Sequence, residues 1–220
     1  MDIQRKVLVT LAGLIMAAGL LKALTSGNTE FLYYGGSLIV IALGIVWLDV
    51  KVRLPMFVLW GLFLWLILHL AGGMIPVPQK LVDQDVIDEA LKTNSEINKT
   101  LYNVRLAPWL PRYDQCVHAF GFFISSLAAW RGMYIGSRMT MKPTFGPRVG
   151  AGLIGMGCGG VNEVIEFVAT RIMPHTNVGG FVNTGWDLVS NMCGCIIAML
   201  TIRFFHDRWF AFPAPTTARA

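Results

Sequence analysis

Residues 54–75 read LPMFVLWGLFLWLILHLAGGMI, and only His69 among them can ionise. A helix rises 1.5 Å per residue, so about 20 residues cross the ~30 Å of hydrocarbon in a bilayer. An apolar run of this length is a membrane span. Backbone groups find no water in hydrocarbon, so the run must close its own hydrogen bonds as a helix. Five more runs match it, at approximately 7–24, 31–50, 114–136, 149–169 and 184–205, with Gly, Pro and charged residues between them. The expected fold class is all-α, a polytopic integral membrane helix bundle of about six transmembrane helices. Residues 1–53 form two N-terminal transmembrane helices. Residues 54–212 form a four-helix membrane core with an extramembrane insertion at 76–112, and 213–220 form a disordered tail.

Composition agrees. The chain has 220 residues, 55% hydrophobic and only 14% charged, where a soluble domain would be closer to a quarter charged. Its mean hydropathy is +0.57. A net charge of +5 invites a nucleic-acid reading. The basic residues, however, sit between the apolar runs, where they report topology, and no nucleic-acid partner is expected. Arg5 and Lys6 precede the first run as in a signal peptide, but no small-residue cleavage pattern follows, so a retained first helix is expected. Cys116, Cys158, Cys193 and Cys195 form no CxxC pair and read as buried free thiols.

The side shared by both termini collects Arg5, Lys6, Lys51, Arg53, Arg131, Arg138, Lys142, Arg148, Arg203, Arg208 and Arg219. Around the short loops of the other side stand Lys22 and Arg171. The positive-inside rule then makes both termini of a multi-pass membrane protein cytoplasmic. The 76–112 insertion falls outside, and Leu81 to Tyr102 has the apolar spacing of an amphipathic helix that caps or gates the bundle. Trp109 suits the membrane interface, and His206 the cytoplasmic one.

Ionisable groups cost roughly 2.5–3.5 kcal/mol each near a span centre, so those inside spans should face one another, water or a ligand. Asp114 and His118 open the fourth span. Glu163 stands about 21 Å along the fifth, and Asp187 lies early in the sixth. All approach the outer leaflet, with His69 at the rim. The pairs Asp114/His118, Asn162/Glu166 and Asp187/Asn191 are each i,i+4, and Glu163/Glu166 are i,i+3, so three helices each offer a polar stripe. Neighbouring carboxylates need a metal ion, a shared proton or a cationic ligand. His with Asp and Glu suits a divalent metal, with His118, Glu163 and Asp187 as the candidate ligands. A hydrogen-bonded network without metal is the alternative. His175 in the short outer loop reads as solvated. Gly150, Gly152, Gly155, Gly157, Gly159 and Gly160 read as a close-packing face rather than a phosphate loop.

The set His69-Leu-Ala-Gly-Gly73, Tyr113-Asp-x-x-Val-His118 with Phe120-Gly121, Asn162-Glu-x-x-Glu166 and Trp186-Asp-x-x-x-Asn191-Met resembles YjdF-type bacterial inner-membrane proteins. It is more distantly similar to VanZ-like proteins, linked by resemblance to glycopeptide resistance. The match covers roughly residues 54–200 and implies site positions rather than an activity. YjdF-type sequences often carry an acid before the Trp-Asp pair and a second Asp where Asn191 stands. VanZ-like ones often have Gln at the position of Glu166.

The function expected is an outer-leaflet pocket that binds or modifies an envelope lipid or lipid-linked precursor. If it performs chemistry, Asp114, His118, Glu163, Glu166 and Asp187 are the candidate catalytic set. Glu163 would be base or ligand, His118 ligand or proton carrier, and Asp114 and Asp187 ligands or orienting groups. His69, Asn162 and Asn191 complete the pocket. Binding without chemistry remains open. The alternatives are an accessory subunit with membrane-protein partners, or a transporter, which would need polar access from both sides.

Overall fold

The computed structural model describes residues 2–93, 96–173, 176 and 178–211. Among them are seven α-helices: α1 (Ile3–Thr25), α2 (Thr29–Val52), α3 (Met56–Met74), α4 (Gln84–Thr93), α5 (Tyr113–Gly136), α6 (Phe145–Ile172) and α7 (Phe181–Trp209). The only extended pairings among these residues are three isolated bridges, Pro76 to Thr100, Val82 to Val104 and Arg105 to Arg112. The chain is an all-helical polytopic membrane bundle. His175 and residues 213–220 lie outside the described residues.

Local chemistry sets the helix starts. The Asp2 carboxylate accepts from the Arg5 amide at 3.0 Å, and the Asn28 side chain accepts from the Phe31 amide at 3.0 Å. Pro55 precedes α3, where a missing N–H costs nothing. At α5 the Arg112 amide donates to the Gln115 side chain at 3.0 Å.

Five helices, α1, α2, α3, α6 and α7, are long and apolar enough to cross a membrane. The sixth expected span, α5, has 24 residues but falls short in apolarity. Its surroundings explain this. α5 packs against α3, α6 and α7, and Gln115, His118, Ser126 and Arg131 are buried on it. A helix shielded by protein can carry polar groups that a lipid-facing helix cannot. By contrast α1 and α2 pair with each other at the edge of the bundle, and most of their surface is open.

Close approach is set by glycine. A Cβ on Gly194 of α7 would run into the Ala119 carbonyl of α5. On α6 a Cβ at Gly155 would come 2.9 Å from Cys195 Sγ, and one at Gly159 2.6 Å from Asn191 Nδ2. Gly157 and Gly160 face open space. The expected packing face is therefore real for four of the six glycines, Gly150, Gly152, Gly155 and Gly159, and it presses α6 onto α5 and α7.

Several expectations need correction. Of the four free thiols only Cys195 is buried; Cys158 and Cys193 are exposed and Cys116 is half-buried. His206 is buried, accepts from Trp130 Nε1 at 3.1 Å and stacks near Phe210. Arg131 is wholly buried, and its guanidinium donates to the carbonyls of Val52 (3.0 Å) and Phe210 (2.7 Å), the unpaired ends of α2 and α7. The amphipathic helix of 81–102 is only α4, ten residues long. The chain then turns back, because Val77 donates to the Lys99 carbonyl at 2.8 Å and Leu101 to that of Ile75 at 3.0 Å. Trp109 is 81% exposed.

Candidate functional site

Helix direction alternates through the bundle, so one end carries the termini. The other end carries the 75–112 segment, the start of α5, the end of α6 and the start of α7. The polar residues named from sequence meet at this second end. His118 is buried with three neighbours. Its Nδ1 lies 3.1 Å from Asn191 Oδ1 and 3.6 Å from Glu163 Oε1, and its Nε2 lies 3.7 Å from Asp114 Oδ1. Asn162 donates to Glu166 Oε1 at 2.8 Å, the expected i,i+4 bond. Asp187 and Asn191 are wholly buried. They do not bond to each other. Asp187 Oδ2 accepts instead from Asn183 at 2.6 Å, and Asn191 turns to His118.

Reasoning from sequence missed several members. Asn183 touches both Asp187 and, at 3.5 Å, Asp114 Oδ2. Arg112 donates to Asn183 Oδ1 and, at 3.4 Å, to Asn103 Oδ1. A signal for Asn183 did exist. It stands one turn before Asp187, so Asn183, Asp187 and Asn191 form one continuous stripe. Arg112 carried no such signal, because its role depends on the fold of the insertion.

His69 sits apart from the His118 group. Tyr102 of the insertion donates to its carbonyl at 2.8 Å and lies 2.8 Å from its Nδ1. The Tyr102 ring occupies the space that a side chain at Gly72 would need, and Phe31, with Tyr102 behind it, fills that at Gly73. The glycine pair thus lets the insertion seat itself on the end of α3.

Charge at this end is unbalanced. Asp114, Glu163, Glu166 and Asp187 cluster around one histidine, while Arg112 reaches them through Asn183. Both oxygens of Glu163, Oδ1 of Asp187 and Nδ2 of Asn191 are buried without a hydrogen-bond partner among the described residues. Bare buried carboxylate oxygens are costly. Two sets bring ligand atoms within 4.8 Å of one another, Asp114/His118/Asp187 and His118/Glu163/Glu166. The sequence-derived set of His118, Glu163 and Asp187 is divided between them, with His118 common to both.

Two cavities open nearby. One, of about 60 Å³, is the more polar of the two and borders Glu30, Tyr34, Tyr102, Asp114, Glu166 and Asn183. The other, of about 290 Å³, is an apolar cleft between α1, α2 and α3. His69 and Asn162 line both.

A family model described as "Predicted membrane protein (DUF2238)" matches residues 91–208, just over half of the chain. The chain belongs to that family. The DUF2238 match takes in Arg112 and nearly all of α5, α6 and α7, which carry the rest of the His118 group. The YjdF-type proteins lie within the DUF2238 group. No curated protein and no solved structure matches the chain.

Proposed function

We propose that this protein binds an envelope lipid or lipid-linked precursor at the outer leaflet of the bacterial inner membrane. The polar end of the bundle takes the headgroup and the apolar cleft takes the chain. The observation that carries this reading is the junction of the two cavities at His69 and Asn162. A lipid is an amphiphile, and the junction joins a hydrocarbon-lined slot to a charged pocket at one depth. The cleft runs along α1 from Arg5 and Asp49 to His69, parallel to the tails of a bilayer lipid. Binding pockets are typically mostly apolar with a few convergent polar groups, which fits this pair. Orientation rests on the basic-residue asymmetry, which makes both termini cytoplasmic and the site external. The motif resemblance to YjdF-type and VanZ-like proteins adds support for an envelope role.

Gly13 lines the cleft, and a Cβ there would meet nothing within 4 Å. Gly13→Phe should therefore fill the slot without disturbing the helices. Wild type and variant, extracted in polymer nanodiscs, are compared by lipid mass spectrometry with the bulk membrane. One lipid class should be enriched with wild type and lose most of that enrichment with Gly13→Phe. Bulk composition around both proteins would rule out a lipid in the cleft.

A further inference from the structure

We infer that a divalent metal ion binds at the Nε2 side of His118, held by His118, Asp114 and Asp187. This goes beyond the lipid reading and does not rest on it. The two ends of the imidazole have different surroundings. Nδ1 lies 3.1 Å from Asn191 Oδ1, and an amide oxygen only accepts, so Nδ1 carries the proton. The lone pair is left on Nε2, which faces Asp114 Oδ1 at 3.7 Å. That separation is too long for a hydrogen bond. It is close to the spacing of two ligands on one ion, because bonds of about 2.0–2.2 Å at tetrahedral angles place ligand atoms roughly 3.4 Å apart.

Asp187 supplies the third ligand and the independent observation. It is wholly buried, one oxygen accepts from Asn183 at 2.6 Å, and the other, Oδ1, has no hydrogen-bond partner. Ligand atoms of Asp114, His118 and Asp187 lie within 4.8 Å of one another. A cation there would satisfy an oxygen that no described residue bonds.

The residues behind the ligands have the form that metal sites use. Asn191 fixes the tautomer of His118. Asn183 holds one oxygen of Asp114 and one of Asp187, and Arg112 holds Asn183. Three protein ligands of N and O type suit zinc or manganese and leave a further position. Asp114 also borders the polar cavity, so that position faces the space where a headgroup phosphate or a water would sit. Glu163 lies at the Nδ1 side, at 3.6 Å, where the proton is already committed to Asn191, and it stays outside the coordination shell.

The full chain in mild detergent is stripped with a chelator, then titrated with Zn2+ and Co2+ by equilibrium dialysis with elemental analysis. One ion per chain is expected, with a Co2+ d–d absorption band. His118→Gln and Asp114→Asn should each weaken binding at least tenfold, and Asn183→Ala by roughly 10–100-fold. Glu163→Gln should keep full occupancy. Gel filtration and circular dichroism verify folding, and if His118→Gln misfolds, Asp114→Asn and Asn183→Ala decide. Wild type that binds no more than Asp114→Asn would overturn the inference. Loss of the ion in Glu163→Gln with retention in Asp114→Asn would place it on the wrong side of the ring and overturn it equally.

Discussion

Asp83 shows how one residue holds the insertion together. Its amide donates to the Asn103 carbonyl at 2.8 Å, and its carboxylate accepts from Arg105 at 2.5 Å and from the Asp85 amide at 3.1 Å. Burial alone would raise the Asp83 carboxyl. The donors from Arg105 and Asp85 outweigh it and hold the group below the usual carboxylate range. A depressed acid stabilises the folded form above its unfolded pKa of about 4, and that support is lost as pH falls through the folded value. Hydrogen exchange at Val86 and Ile87, whose amides donate to the Asp83 carbonyl, should be protected at neutral pH and lose protection in acid. Asp83→Asn should flatten this dependence. Protection that ignores pH in wild type would show that the pair is incidental. From sequence, Asp83 read as one of several loop acids. Its partner Arg105 is 22 residues away, and only the fold of the insertion brings the two together.

At the scale of elements, the approach of α7 to α5 is the critical contact. Gly194→Ala places a methyl against the Ala119 carbonyl, which is backbone and cannot rotate away. The helices must separate, at an expected cost of about 1–3 kcal/mol. Gly157→Ala meets nothing within 4 Å and should change stability by no more than about 0.5 kcal/mol. Reversible unfolding in mixed micelles measures both, and equal effects would show that the small-residue face does not set the packing. Glycine enrichment on α6 was legible in the sequence, and so was its helical phase. Which of the glycines meet a neighbour was not, because helix rotation is decided by the partner surface. The same limit applies to α5. Its polarity made it the weakest span by composition, yet it is the helix that the others surround.

For the whole molecule, six long helices of alternating direction put both ends of the described chain on one side of the bundle. In a background with the native cysteines replaced, Lys92→Cys on α4 should react with an impermeant thiol reagent added to the outside of cells. Thr140→Cys should react only after the membrane is opened. Both residues are exposed, so access depends on the side alone. The opposite pattern would place the polar site at the cytoplasmic face and defeat the envelope-lipid reading. The loose seating of the α1–α2 pair against the other helices also belongs to this scale, because the gap it leaves is the apolar cleft. No single run of sequence encodes a gap between three helices.

The sequence by itself determined that the chain is a membrane helix bundle, roughly where each helix lies, and which end gathers the acids and histidines. Those properties are local. Apolar length, i,i+4 spacing and distance along a helix follow from the covalent chain and from the thickness of the solvent it must cross. Tertiary structure alone decided that Asn191 faces His118 rather than Asp187, that Asn183 and Arg112 belong to the cluster, and that His206 and Arg131 are buried. Contacts between helices depend on rotation and separation to within an ångström. Those quantities are fixed by the shapes of all the packed faces together, with Gly155, Gly159 and Gly194 setting how close the backbones come.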